Sequence, residues 1–244
     1  MFQPRIEVKY KIDGALFSEF FKDIEEHLVK HEYHFQKIHN VYYDNDHDGV
    51  IRHSIAEPLF KEKLRIRAYE KNCQCCEKAF VELKIKYKGV VHKKREPVSI
   101  DVANVLIKGG DLGAVLPNNT GTKNILAFLA KTKSYPKIYL SYDRYSYLSQ
   151  DDDDLRITFD TNLKSRREDL AFKTSNKDVS YFDTPTYLME VKTTKGFPLW
   201  LISALNKHKV YPTAFSKYGK IYEKEQQTAP VTAEVNEVAE LVAV

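Results

Sequence analysis

The stretch FVELKIKYKGVVHKKREPV, Phe80 to Val98, alternates residue by residue over its first half. Glu82, Lys84, Lys86 and Lys88 are charged, and Leu83, Ile85 and Tyr87 between them are apolar. A period of two is that of a β-strand with one face turned to a core. It predicts two strands here, 79–88 and 90–96. On the second, His92 and Lys94 share one face and Lys93 and Arg95 the other. The apolar face needs only a core; the charged face needs another explanation.

Similar alternation recurs along the chain. In residues 3–12, Ile6, Val8, Tyr10 and Ile12 fall on one face and Arg5, Glu7, Lys9 and Lys11 on the other. Asp13 is placed to cap a helix expected to reach His34, with apolar positions at Phe17, Phe20, Phe21, Ile24 and Leu28. Further strands are expected at 37–44, 61–70, 137–149, 154–160 and 186–194, and helices at 101–108, 122–130 and 198–208. Ser216 is placed to cap a last helix. DNDHDGV (44–50) lacks the regular positions and closing Glu of a calcium loop and reads as a solvated turn. SQDDDD (149–154) reads as a hairpin turn. The class is α+β with long, largely antiparallel strands. With no internal repeat or compositional break, residues 1–225 read as one domain, followed by an acidic tail, 226–244, expected to be disordered.

Composition narrows the function classes. A hydrophobic content of 43%, with 16 Tyr and 13 Phe, is enough to build a core and argues against a disordered chain. No run of 18 apolar residues exists, and the N-terminus lacks a signal-peptide pattern. The expected setting is cytoplasmic, with docking to a membrane-bound partner still open. FPLWLI (197–202) is the segment that could dock there, although core packing is its commoner use. The net charge is +4, and Glu234, Glu237 and Glu240 stand uncompensated in the tail, so the preceding residues carry +7. Cys73, Cys75 and Cys76, an odd and tightly spaced set, read as free thiols. His31, His34, His39, His47 and His53 show no ligand spacing. The basic residues form no contiguous stripe and no helix-turn-helix or zinc pattern accompanies them, so nucleic-acid binding is not expected.

Lys63, Arg65 and Arg67 share a strand face, as do Glu82, Lys84 and Lys86; Arg156, Thr158 and Asp160; and Glu190 and Lys192. Cross-strand pairing on a solvated face accounts for any one strand. Across six or more strands the cations outnumber the carboxylates, and a curved or closed sheet would gather them around an anionic ligand.

The blocks RIEVKYKI (5–12), KLRIRAY (63–69), FVELKIKYKGVVHKKR (80–95), YLSYDRYSY (139–147), LRITFD (155–160), YLMEVK (187–192) and FSKYGK (215–220), in that order, resemble the VTC domain. This is the polyphosphate polymerase domain of the vacuolar transporter chaperone complex, in the triphosphate tunnel metalloenzyme superfamily. The resemblance spans about residues 1–222. It implies an antiparallel β-barrel forming a triphosphate tunnel, with helices packed outside and at one mouth. It also implies an ATP-dependent polymerase that adds the γ-phosphate to a polyphosphate chain with Mn²⁺ or Mg²⁺. Its partners would be ATP and polyphosphate, in a stand-alone domain without membrane spans.

Carried over by position, the resemblance gives phosphate-handling roles to Arg65, Arg67, Lys84, Arg144, Arg156 and Lys192. Lys9, Ser216 and Lys217 would hold substrate, together with Lys93 or Arg95, the alternation leaving open which of the two faces inward. Glu190 corresponds to the metal-binding Glu, and Glu7 either binds metal or balances charge. Hydrolytic relatives open with Glu-x-Glu-x-Lys, whereas this chain has Arg5-x-Glu7-x-Lys9, which favours the polymerase branch. A tripolyphosphatase or nucleoside triphosphatase of the same fold, or a non-catalytic polyphosphate-binding module, are the alternatives.

Overall fold

The computed structural model describes residues 6–71 and 78–228. The three cysteines, Arg5 and the tail beyond Thr228 lie outside the described residues; Gln226–Thr228, expected in the tail, continue the last helix. In chain order the elements are β1 (Ile6–Asp13), α1 (Gly14–Lys22), β2 (Leu28–Asp44), α2 (Gly49–Ile55), β3 (Phe60–Lys71), β4 (Lys78–Tyr87), β5 (Val90–Ser99), α3 (Ile100–Leu106), α4 (Leu112–Val115), α5 (Thr120–Thr132), β6 (Tyr135–Ser149), β7 (Arg156–Arg166), β8 (Val179–Ser180), β9 (Thr186–Thr193), α6 (Leu199–Lys207) and α7 (Lys217–Thr228).

All the strands join one antiparallel sheet in the order β1-β9-β7-β6-β2-β3-β4-β5, with β8 on the end of β7. This corrects the expected closed barrel and tunnel. Among the described residues the two end strands, β1 and β5, do not pair, and the sheet is open. Each edge carries a feature that hinders further pairing. On β1 the Lys9 carbonyl accepts the Thr213 N–H at 2.8 Å, and Tyr10 bridges to Pro212. On β5, Pro97 has no N–H to offer a further strand.

The sheet buries one face under two groups of helices. Val41, Leu64, Ile66, Val81 and Leu83 pack with Ala103, Leu112 and Ile125 of α3–α5. Ile12, Ile157 and Val191 pack with Phe20 of α1 and Leu201 of α6. On the opposite face, α2 and α7 cover only the centre, where Ile38, Ile138 and Leu140 meet Ile51, Tyr218 and Ile221. The rest of that face carries the charges.

Two local expectations are also corrected. Asp13 caps α1 by accepting the Ala15 N–H, but the helix ends at Lys22, and Leu28–His34 belong to β2. Leu28, Val29 and Lys30 pair with Ser149, Leu148 and Tyr147, and His34 meets the Tyr147 ring edge-on at 4.8 Å. Sheet pairing and aromatic contact outweigh the local helical pattern. The turn over 44–50 runs into the unexpected α2. The Asp44 carboxylate, fully buried, accepts the N–H groups of Asn45, Val50 and Ile51 and the Tyr218 hydroxyl. One side chain thus fixes the α2 N-terminus and ties it to α7.

Candidate functional site

Strand register settles which charges meet. Directly opposed residues share a face. Tyr42 lies opposite Arg65, Arg65 opposite Glu82, and Glu82 opposite Arg95. The next row is Lys63, Lys84 and Lys93. Lys93 and Arg95 are therefore both on the charged face, which resolves the alternative the alternation had left open.

Glu82 is the hub of this half and is 1% exposed. Its Oε2 accepts Arg65 Nε at 2.9 Å and Nη2 at 2.7 Å. Its Oε1 lies 2.6 Å from Lys93 Nζ and 3.2 Å from Arg95 Nε, as ion pairs without hydrogen-bond alignment. Burial alone would raise this carboxyl; Arg65, Arg67 and Lys93 override it and hold its pKa down at about 2. Arg67 donates from Nε to Asn40 Oδ1 at 2.8 Å and from Nη2 to the Tyr142 hydroxyl at 3.1 Å. Arg65 Nη1 donates to the Tyr42 hydroxyl at 2.9 Å. Burial would raise that phenol, but Arg65, Arg67 and Lys63 bring it down to about 8. Lys63, whose Nζ is 3.0 Å from Ser216 Oγ, is pushed down to about 8, by burial first and by Lys61, Lys84 and Lys9 besides.

A second hub is Asp160, 2% exposed. Arg144 grips it through two hydrogen bonds, Nε to Oδ1 at 2.6 Å and Nη2 to Oδ2 at 2.7 Å, and Lys217 Nζ adds a third at 2.6 Å. Lys217 also stands over the Tyr142 ring at 4.4 Å. Lys217 opens α7, so the last helix delivers a cation to a sheet formed far earlier in the chain. Ser216, just before it, accepts the Gly219 N–H at 3.3 Å.

The third cluster lies on β1 and β9. Lys192 Nζ is 2.6 Å from Glu190 Oε1 and 3.9 Å from Glu7 Oε2, and Lys9 Nζ is 3.5 Å from Glu7 Oε1. Lys9 also donates to the Phe215 carbonyl at 3.3 Å. Burial would raise Glu190, yet Lys192, Arg144 and Lys9 hold it well below the usual carboxylate range, so it is ionised. Beside it, the buried Thr158 Oγ1 has no hydrogen-bond partner among the described residues. Arg156 pairs with Lys192 in register and is exposed. A cleft lined by Lys9, Asp160, Glu190, Phe215 and Lys217 joins the second and third clusters. A larger surface hollow of about 520 Å³, lined by Asp48, Lys137, Arg167 and Glu225, contains none of these residues.

All the sequence-nominated residues therefore lie on or beside one charged face, with Arg156 at its margin. The sequence reading assigned no role to Glu82, Asp160, Lys63, Tyr42, Asn40 or Tyr142. Glu82 and Asp160 were legible as carboxylates alternating among cations. The tyrosines and Asn40 gave no signal, because their partners come from other strands.

Among the described residues no group of three or more His, Cys, Asp or Glu converges as a metal cage. Glu190 and Glu7 are gathered around the Lys192 ammonium, and their carboxylate oxygens are the donor type that a hard cation such as Mg²⁺ takes.

The molecule is thus an α+β protein with an open antiparallel sheet, one face of which gathers arginines and lysines around a few buried carboxylates. The VTC domain family matches residues 4–225, and the chain belongs to that family, which is associated with phosphate-transfer chemistry. A protein from Bacillus halodurans, provisionally described as an adenylate cyclase, is similar in fold. It has a TM-score of 0.54 and 14% identity, over 93% of this chain and 98% of that one. A second provisional adenylate cyclase, from Vibrio parahaemolyticus, matches over 91% of this chain and 99% of that one, at 8% identity and a TM-score of 0.47. No curated protein matches the chain.

Proposed function

We propose that the charged face binds ATP and a polyphosphate chain and transfers the γ-phosphate from one to the other. The observation that carries this reading is the row Lys63, Lys84 and Lys93. Like charges directly opposite one another on a sheet are destabilising. The neighbouring Glu82 already serves Arg65, Arg95 and Lys93. The surplus of positive charge suits a ligand with closely spaced negative charges, such as a phosphate chain.

In this reading Arg65, Arg67 and Lys84, with Lys63, Lys93 and Arg95 beside them, hold phosphate oxygens. Arg144, Arg156, Lys192 and Lys217 stabilise the charge that spreads over the transferring group. Lys9 and Ser216 bind chain at the β1 side. A terminal oxygen of polyphosphate bonds to the γ-phosphorus in line, the bond from that phosphorus to the β–γ bridging oxygen breaks, and ADP leaves. No side-chain nucleophile is needed; the protein supplies position and electrostatics. Glu190, and Glu7 with it, would hold Mn²⁺ or Mg²⁺ arriving with the nucleotide, a cation that supplies charge neutralisation between the two polyanions.

The test is incubation with ATP and Mn²⁺, followed by chain-length analysis, beside a Glu190→Gln variant. A ladder of polyphosphate that the variant fails to make is the expected result. Free phosphate without a ladder would replace this reading with hydrolysis. Tripolyphosphate binding without turnover would reduce it to a binding module.

A further inference from the structure

We propose that the tip of the β4–β5 hairpin, with the start of β3 beside it, docks on an anionic lipid surface. This corner forms the end of β3, β4 and β5, one same-face step beyond the row Lys63, Lys84 and Lys93. Phe60, Tyr87 and Val90 form one directly opposed row on adjacent strands. They are exposed at 39%, 50% and 59%, and Leu59, the residue before Phe60, at 69%. Val91, on the other side of the hairpin, is also exposed. Isolated exposed apolar residues need no explanation, but a contiguous cluster at the end of one hairpin does.

The tip is convex. Lys88 and Gly89 turn the chain with φ of 47° and 87°, and a Cβ placed on Gly89 would meet nothing within 4 Å. A projecting apolar wedge suits insertion between headgroups, whereas a peptide or helix ligand is taken up by a groove.

The charges around it name the surface. Lys61 and Lys86 share a row with Val91, Lys88 stands over the Tyr87 ring at 5.4 Å, and Lys131 over the Phe60 ring at 5.3 Å. The carboxylates at hand are Glu62, paired with Lys131 at 3.3 Å, and Glu57, which reaches Lys61 at 4.0 Å. Stacking two copies through this patch would bring the same lysines face to face, so charge disfavours a second copy. An exposed apolar row with Lys88 and Lys131 over its rings, and with Lys61 and Lys86 on the opposite face of the same tip, offers both signals that peripheral attachment to an acidic bilayer uses.

The test is co-sedimentation of the full chain with mixed phosphatidylserine–phosphatidylcholine vesicles and with pure phosphatidylcholine vesicles. The wild type is expected to pellet with the mixed vesicles alone. Val90→Glu, whose fold is checked by circular dichroism, is expected to lose that binding at least tenfold while keeping its affinity for tripolyphosphate. Lys88→Glu is expected to bind the mixed vesicles more weakly than the wild type. Failure of the wild type to pellet overturns the proposal, and so does equal pelleting of wild type and Val90→Glu, which would assign lipid binding to the charged face. Self-association of the wild type that Val90→Glu abolishes would make the patch a contact between copies and overturn it as well.

Discussion

The Glu82 carboxylate takes two donors of Arg65 on one oxygen, at 2.9 and 2.7 Å, while its other oxygen sits between Lys93 and Arg95. One buried anion thus holds cations from β3 and β5 on a single face. Removing it leaves those cations crowded and uncompensated. Glu82→Gln is expected to destabilise the fold by about 3–5 kcal/mol in denaturant unfolding. Saturating tripolyphosphate should restore part of the loss by supplying the missing charge. The folded-state pKa of about 2 lies below the unfolded value of about 4.3, so the Glu82 contribution is complete above that value. It is lost as the pH falls toward about 2, and the variant should show a flatter acid limb. Equal stability of variant and wild type would remove Glu82 as the hub.

Lys63 and Tyr42 both titrate near pH 8 in the folded protein, against unfolded values of about 10.4 and 10. Between those limits the unfolded chain holds more protons, so their contribution to stability rises with pH and is lost as the pH falls through about 8. Anion binding should run the opposite way. Raising the pH through 8 removes a positive charge at Lys63 and adds a negative one at Tyr42. Tripolyphosphate affinity, followed by calorimetry, is expected to fall by roughly tenfold, or about 1.4 kcal/mol, relative to a Lys63→Met/Tyr42→Phe double variant. Parallel pH profiles for the two proteins would show that neither group titrates against the ligand.

Asp44 holds the α2 N-terminus and, through Tyr218, the helix that carries Lys217. Asp44→Ala removes hydrogen bonds to a buried charged acceptor, each worth about 1.5–3 kcal/mol. A total loss of about 3 kcal/mol is expected after relaxation. Because α7 loses its anchor, tripolyphosphate affinity should also weaken, although Asp44 lies outside the charged clusters. Reduced stability with undiminished affinity would separate α7 from the binding face.

Gly14 begins α1 where the chain leaves β1, and its N–H donates to the Pro185 carbonyl at 2.8 Å. A Cβ there would lie 2.6 Å from Pro185 Cβ and 2.7 Å from Pro185 O. Alanine in a helix is ordinarily favoured over glycine by up to about 1 kcal/mol. Here the clash is expected to reverse the sign, with a net loss of about 1–3 kcal/mol in Gly14→Ala. A higher melting temperature for the variant would mean that the β1–α1 junction gives way easily.

What the sequence determined by itself is what depends on a period of two. Strand identity, and which charges share a face, follow from side-chain alternation, a local property of extended backbone. The grouping of Lys63 with Arg65, of Glu82 with Lys84 and of Glu190 with Lys192 was legible for that reason. So were the Asp13 cap and the hairpin turn after Ser149, because both act over a few residues. Tertiary structure decided the rest. Whether the sheet closes depends on its two edges meeting in three dimensions, which no local pattern encodes, and here it is open, with β1 in contact with Pro212 and Thr213. Residues 28–34 became strand because β6 was there to pair with them. The second helix formed because Asp44 could bond its N–H groups and Tyr218 at once. That Glu82 and Asp160 would each bind several cations, and that Lys217 would complete the second cluster, depended on registers between distant strands and on where the last helix lands. A sequence gives the face of each side chain; only the packed sheet fixes which opposite charge lies within 3 Å of it.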